Sequence, residues 1–353
     1  MSESFKIPCP HCSRRLELRG EHAFKTVACP ACQREFRVSL PFGSHLLADE
    51  VGRDSFSSLH TLVREGGATP LLLRRLLPEF AVLPEMKSCF IKTALQLAET
   101  KHPSLLQPVK VETVEGLPCA HYLMPGAESL KERMAKGAVP LPQALQLMLD
   151  ITSLFEDLDE QGLVHGSLRP SQLRFDQHRN LRVFDLQLGT ALLQTARAAG
   201  RSERLLIPNR GYAAPEVVRG DAAGRASDIW SLGAIYYEVL SGRRPFFSVR
   251  MEDELDLCLR GVCDSPRQLN PRIPLLLSDL VMAMLSPQQE KRPEHGHTLE
   301  LLQRVMDELE SGETYRREAA ETPPELEPPA RKGCLPLLLL GSAAPLIWFA
   351  AGR

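Results

Sequence analysis

Four cysteines are spaced to hold one metal ion. Cys9-Pro-His-Cys12 and Cys29-Pro-Ala-Cys32 are two Cys-x2-Cys knuckles separated by sixteen residues. Each knuckle can present two thiolates, and four thiolates suit a closed tetrahedral Zn2+ site with no open position for chemistry. The unit that carries them, residues 1–40, is too small for a core of its own, so binding structural Zn2+ is almost equivalent to its folding. Redox chemistry within each knuckle, or disulfides in an exported domain, are the competing uses of these thiols. His11 lies inside the first knuckle, but four cysteines already complete the coordination. Cys89, Cys119, Cys258, Cys263 and Cys334 are scattered, as ordinary thiols are in a reducing compartment.

A second series of residues runs from His165 onward. It comprises His165-Gly-Ser-Leu-Arg-Pro-Ser-Gln172, then Phe184-Asp185-Leu-Gln187, then Gly211-Tyr-Ala-Ala-Pro-Glu216. Asp228-Ile-Trp-Ser-Leu-Gly233, Tyr237-Glu-Val-Leu-Ser-Gly242 with Pro245-Phe246, and Ser286-Pro-Gln-Gln-Glu-Lys-Arg-Pro293 follow. In order and spacing the series resembles a bacterial-type serine/threonine protein kinase, from the catalytic loop through D-F-G and A-P-E to the late arginine. The resemblance covers residues 46–310. It implies an α+β, bilobal fold, with a small lobe at about 46–124 and a large lobe at about 125–310. It also implies structural roles: a buried Glu216–Arg292 ion pair, Asp228 accepting hydrogen bonds from the catalytic-loop backbone, and His165 packed beneath that loop.

The chemical positions have fared differently. Phosphoryl transfer needs a carboxylate to orient the nucleophile, a lysine on the phosphates held by a helix glutamate, and Mg2+ ligands. Ser167 stands at the catalytic aspartate and has no anionic oxygen to take a proton. Gly166 replaces the neighbouring arginine, Arg169 the loop lysine, and Gln172 the Mg2+-binding asparagine. Asp185 is the one family-like metal ligand, followed by Leu186-Gln187 in place of Phe-Gly; glutamine there predicts a stiffer hinge. Asp176 lies past the loop and is a poor surrogate base.

The front of the resemblance is similarly altered. Gly52 and Phe56 fit a glycine-rich loop, whereas Asp54 and Ser57 stand at its later glycines, where a carboxylate repels phosphate. Leu71-Leu-Leu-Arg-Arg-Leu-Leu77 resembles the lysine strand with an arginine instead; anchoring on Pro78 selects Arg75, an adjacent register Arg74. Counting back from His102-Pro103 puts Thr93 at the helix glutamate, with Glu85 and Glu99 as poorly placed substitutes. Gly52, Arg75 and Asp185 are the candidate nucleotide contacts, Tyr122 to Met124 is hinge-like, and the losses weigh against use of ATP and Mg2+.

Several elements must position these groups. Phe90–Thr100 and Leu141–Gly162 read as helices, the second amphipathic through Leu145, Leu149, Leu154 and Leu158 and ended by Gly162. Gln172–Phe175 and Leu181–Leu186 read as strands, with mostly helical patterns from there to Glu310. Residues 311–332 are a Pro/Glu-rich linker. Residues 333–352 carry no charge, and as a helix would just cross a bilayer core. With Arg331 and Lys332 before it, this segment predicts a single-pass C-terminal membrane anchor with the N-terminal domains in the cytoplasm. Residues 1–40 resemble a bacterial zinc ribbon, in which Phe24 and Phe36 would pack on the metal site and Arg14, Arg15, Arg34 and Arg37 lie at the surface.

In 353 residues, 42 basic and 44 acidic side chains leave a net charge of -2, which gives no global reason to expect a polyanionic partner. The ribbon has seven basic and four acidic residues before position 40, as compatible with protein contact as with nucleic acid. Together these features point to a pseudokinase: a membrane-tethered scaffold or regulator that binds protein partners through the kinase fold and the ribbon. The alternatives are a weakly active ATP-dependent serine/threonine kinase and a nucleic-acid-associated protein acting through the ribbon.

Overall fold

Two short hairpins carry the cysteine knuckles. The computed structural model describes residues 4–62, 71–123, 128–201 and 206–311. Strands β1 (Ser4–Pro8) and β2 (Arg15–Arg19) pair antiparallel with Ile7 opposite Leu16, and β3 (Thr26–Ala28) pairs with β4 (Glu35–Arg37) with Val27 opposite Phe36. Each knuckle is the turn of its hairpin: the Cys9 N–H donates to Arg14 O at 2.9 Å, and the Cys29 N–H to Arg34 O at 3.0 Å. Both turns place a residue in the left-handed region, Ser13 at φ 60° and Gln33 at φ 61°. Ile7, Cys9, Leu16, Cys29, Phe36 and Val38 form the small core.

Phe36 thus packs beside the cysteines, but Phe24 does not. It packs with Phe42, Leu47, Leu62, Leu73 and Cys119 of the next domain, its ring 5.6 Å from that of His60. The reason is its place in the chain: Phe24 sits in the crossover between hairpins, at φ 61°, which turns it away from the metal side. It joins the two domains instead.

The small lobe is a six-stranded antiparallel sheet. Strands β5 (Leu40–Phe42), β6 (His45–Arg53), β7 (Ser57–Leu62), β8 (Leu71–Leu76), β9 (Pro108–Val114) and β10 (Leu117–Leu123) lie in the order β5-β6-β7-β8-β10-β9. Since β5 follows the ribbon directly and pairs with β6, the two domains are joined inside a sheet. Helix α1 (Pro78–Ala81) and helix α2 (Pro84–Glu99) come between β8 and β9. α2 begins six residues ahead of the expected Phe90, because Pro84 at its first turn lacks only an N–H that has no helical acceptor there. Met86, Phe90, Ala94 and Leu97, at spacings of four, four and three, form its buried face.

The large lobe is helical. It contains α3 (Leu130–Ala135), α4 (Leu141–Glu160), α5 (Leu188–Ala198), α6 (Pro215–Arg219), α7 (Arg225–Ser241), α8 (Met251–Arg260), α9 (Pro266–Leu269), α10 (Leu275–Met284) and α11 (His295–Ser311). A two-stranded ribbon, β11 (Leu173–Phe175) and β12 (Leu181–Val183), sits below the cleft between lobes. Both strands are shorter than expected: Gln172 belongs to a 3-10 turn, and β12 stops at Val183 because Asp185 turns to φ 63°. From Trp230 on α7, whose ring stacks on Phe246 at 5.3 Å, the core extends through α4 and α10. Apart from Ser311, the expected linker and the segment 333–352 lie outside the described residues. Among the described residues no helix is long and apolar enough to cross a membrane.

Candidate functional site

The turn between β6 and β7 folds down into the cleft between the lobes. Asp54 anchors it, its Oδ1 accepting from the N–H groups of Phe56 and Ser57, both at 2.8 Å. The other oxygen points into the protein. Oδ2 lies 2.7 Å from Arg74 Nη2 and 3.0 Å from Arg169 Nη2. Arg74 Nη2 is also 2.8 Å from Asp185 Oδ2, and the Tyr122 hydroxyl donates to Asp185 Oδ1 at 3.1 Å. Two carboxylates, two guanidinium groups and a phenol therefore form one buried network joining β6–β7, β8, β10 and the large lobe. Ser55 Oγ adds a bond to Ile207 O at 2.9 Å, and Arg169 Nη1 one to Pro208 O at 2.6 Å.

The electrostatics follow from burial and pairing. Burial alone would raise the Asp54 carboxyl, but Arg74, Arg169 and the two backbone N–H groups hold it below its ordinary value. Asp185 is raised, because burial outweighs the help of Arg74 and Arg169 and Asp54 adds like charge. Burial also lifts Tyr122 well above its ordinary value, keeping it a neutral donor. Burial opposes the charge on Arg74, yet Asp185 and Asp54 together raise its pKa. The charges in the cluster support one another, and Arg74 and Arg169 each have a partner besides Asp54, in Asp185 and Pro208 O.

The arginine in this cluster is Arg74, which corrects the choice of Arg75 as a nucleotide contact. Side chains alternate across a strand. Arg74 lies opposite Leu59 and Ala120 and shares the inner face of β8 with Leu72 and Leu76. Arg75 faces the other way, its guanidinium 5.0 Å from the centre of the Phe42 ring and its Nε 3.2 Å from Ser58 Oγ. In a strand of leucines on both faces, parity alone could not choose between them. Gly52 lines an open groove of about 750 Å3 in front of the cleft, with Lys131, Arg169, Tyr212 and Arg244. On α2, Thr93 is half-buried while Glu85 and Glu99 are exposed, so the carboxylates on Arg74 are Asp54 and Asp185. Tyr122 is buried on β10, and Met124 lies outside the described residues.

The loop carrying Ser167 is closed off by α5, which sequence patterning did not single out. Ser167 is buried, and its Oγ has no hydrogen-bond partner among the described residues. A Cβ on Gly189 of α5 would come within 2.5 Å of that oxygen. Gly166 stands at φ 76°, and a Cβ on it would lie 2.9 Å from Thr190 Cγ2. Small residues at 166, 167 and 189 thus let the helix rest on the loop. Gln187, the residue expected to stiffen the hinge, sits in the left-handed region at φ 61°, immediately before α5. Gln172 is buried with its Oε1 unpartnered. Asp176 bonds its own turn through the His178 and Asn180 N–H groups, both at 2.9 Å.

The scaffold positions come together in the large lobe. Arg292 Nη1 and Nη2 meet Glu216 Oε1 and Oε2 at 2.7 and 2.9 Å, and Ser227 Oγ donates to the same carboxylate at 2.7 Å. Asp228 accepts from the His165 and Gly166 N–H groups, both at 2.7 Å. His165 is fully buried, and burial lowers it to about 4. In the ribbon the four cysteine sulfurs lie within 4.8 Å of one another, with Cys9 and Cys32 Sγ 3.8 Å apart and Cys12 and Cys29 Sγ 3.7 Å apart. Those separations match the edges of a tetrahedron with Zn–S of about 2.3 Å, so this donor set fits Zn2+. The Cys32 and Ala31 N–H groups help to lower the Cys29 thiol to about 6.

Comparison with known proteins places these features. A family model described as "Protein kinase domain" matches residues 68–304. The chain is 26% identical over 268 residues to the tyrosine-protein kinase MasK of Myxococcus xanthus, covering 71% of this chain and 41% of that protein. It is 29% identical over 159 residues to the inactive serine/threonine-protein kinase PLK5 of Mus musculus, covering 45% of this chain and 25% of that one. The chain thus spans well under half the length of these curated relatives. Among solved structures, the kinase domain of Mycobacterium tuberculosis PknI in a double-mutant form superposes with a TM-score of 0.57 at 15% identity, covering 76% of this chain and 97% of that one. At that identity the likeness concerns the fold.

Proposed function

The chain belongs to the protein kinase domain family, and we propose that it uses that fold as a binding and regulatory module rather than as a phosphotransferase. One observation carries the proposal. In protein kinases a glycine-rich loop covers the ATP phosphates and a strand lysine pairs with them. Here the corresponding turn inserts its own carboxylate, Asp54, between Arg74 and Arg169, so the cationic groups that would meet a phosphate are satisfied from within. Asp185 is engaged by Arg74 and Tyr122 rather than open to a metal. In this arrangement the residues do not fit ATP and Mg2+.

Binding then falls to the outer surfaces. Phe247 and Val249 are 63% and 96% exposed on the large lobe, beside a groove lined by Tyr237 and Val262, which suits contact with a protein. The ribbon, folded around Zn2+ on Cys9, Cys12, Cys29 and Cys32, is the second contact module. Residues 333–352 would tether both to a membrane. That part of the proposal is tested by whether the full chain fractionates with membranes and loses them on truncation before Arg331.

The deciding measurement is titration of the full chain with ATP, with and without Mg2+, beside a sensitive phosphotransfer assay. The proposal expects no saturable Mg2+-dependent binding and no incorporation of phosphate. Turnover that Asp185→Asn abolishes would instead establish a weak kinase. A specific observation favours that second reading: Asp185 is retained in the cleft, and Gln172 Oε1 is buried with no partner, as a group awaiting a cation would be.

A further inference from the structure

We propose that His45, Glu112 and His121 form a second divalent-metal site, separate from the cysteine cluster and from the cleft, that takes Zn2+. Their donor atoms converge on one point. His45 Nε2 lies 3.1 Å and His121 Nε2 2.7 Å from the same oxygen, Glu112 Oε1, and all three atoms lie within 4.8 Å of one another. Zn–N and Zn–O bonds of about 2.0–2.2 Å at tetrahedral angles separate neighbouring donors by about 3.3 Å. Both distances to Glu112 Oε1 lie within roughly 0.6 Å of that spacing. Two imidazoles and a carboxylate are a donor set that Zn2+ takes with water as fourth ligand.

The surroundings fix which atoms are offered. Lys110 Nζ lies 2.8 Å from Glu112 Oε2, which occupies that oxygen and leaves Oε1 as a single donor. His121 is 3% exposed on β10 and held by pairing with Leu73 of β8, so its ring direction is set by the sheet. The His45 and His121 rings lie 5.1 Å apart. Without metal, both Nε2 positions donate to one carboxylate oxygen; with it, each imidazole carries its proton on Nδ1 and both Nε2 atoms turn to the ion.

The site also has a place in the architecture. β6, which carries His45, is separated in the sheet order from β10 by two strands and from β9 by three. The sheet must curl to bring the three residues together. Gly43 N–H donates to Glu115 Oε1 at 2.7 Å across the same gap, and a Cβ on Gly43 would lie 2.5 Å from Val114 Cγ1. An ion on His45, Glu112 and His121 would clamp the β5–β6 hairpin, and with it the ribbon just ahead of β5, onto the β9–β10 hairpin. Arg74 lies on the opposite face of the sheet, so the clamp needs nothing from the cleft.

The test is metal stoichiometry on the full chain, stripped with chelator and titrated with Co2+ alone and then Zn2+ alone. Two equivalents are expected, one with a thiolate-to-cobalt charge-transfer band and one without. Glu112→Gln and His45→Ala, both at half-buried positions, should each lose the second equivalent and keep the band. Joint Cys9→Ser and Cys12→Ser substitution should lose the band and keep the other equivalent. A single equivalent in the unaltered chain overturns the site, as does a second equivalent that survives both Glu112→Gln and His45→Ala.

Discussion

Two buried charge networks sit on either side of the Ser167 loop, and they do opposite things. In the large lobe, Glu216, Arg292 and Ser227 pair within one lobe, and Asp228 holds the loop backbone. In the cleft, Asp54, Arg74, Asp185 and Arg169 pair across lobes, linking a turn, a strand and two loop residues. The first network uses residues that the kinase family keeps for structure. The second uses family positions that handle phosphate and metal, now turned on one another. The difference teaches what the proposed function rests on: at positions that would meet ligand in the family, the retained Asp185 and the substituted Asp54, Arg74 and Arg169 here bind each other.

That contrast can be broken in graded ways. Arg292→Ala should cost the most, about 3–5 kcal/mol in denaturant unfolding, because it strands a buried Glu216 with one hydroxyl for company. Next comes Gly166→Ala, where the loop between the networks meets α5. Its positive φ and the close Thr190 methyl predict a loss of about 2 kcal/mol in the same measurement; an unchanged midpoint would mean that α5 does not rest on the loop.

Asp54→Asn should cost less, about 1–2 kcal/mol, since Arg74 keeps Asp185 and Arg169 keeps Pro208 O. Its pH dependence sharpens the point. The folded value of Asp54 is lowered from 3.8, so the unfolded state takes its proton first as the pH falls. Its contribution is therefore complete above about pH 5 and is lost as the pH falls through the folded value. Parallel melts should show the deficit of Asp54→Asn constant from pH 8 to 5 and narrowing at lower pH. A constant gap to the lowest accessible pH would mean that Asp54 carries no charge in the fold.

The smallest effect belongs to the surface. Arg37 Nε donates to Asp49 at 2.6 Å between ribbon and small lobe, but the arginine is largely exposed. Arg37→Ala should change stability by less than about 1 kcal/mol. A larger loss in a thermal melt would show that the two domains depend on that pair.

How much was legible in the sequence varied with the kind of constraint. The order of motifs from His165 to Pro293 was enough to expect a bilobal fold, and Glu216 and Asp228 are found with the partners their motifs implied, Arg292 and the His165–Gly166 backbone. The replaced residues at 54, 166, 167 and 172 could also be read directly. What they do instead could not. Asp54 reads as a repulsive group only while a phosphate is imagined beside it; once the turn folds down, it is the anion. A helical pattern covered α5, but its seat on the Ser167 loop was not legible, because glycines and serine at contact points carry no pattern of their own. His45, Glu112 and His121 are far apart in the chain, with no shared spacing to mark them.

The sequence by itself determined the family fold, the paired cysteine knuckles and the list of altered chemical positions, because each rests on residue type at a fixed local spacing. Only the tertiary structure decided that Arg74 rather than Arg75 enters the cleft, that Phe24 leaves the ribbon to join the small lobe, and that Asp54 meets Arg169. The physical reason is common to all three. Strand parity among leucines, the turn at a positive φ, and an ion pair spanning 115 residues are set by packing between elements, and a local pattern carries no record of it.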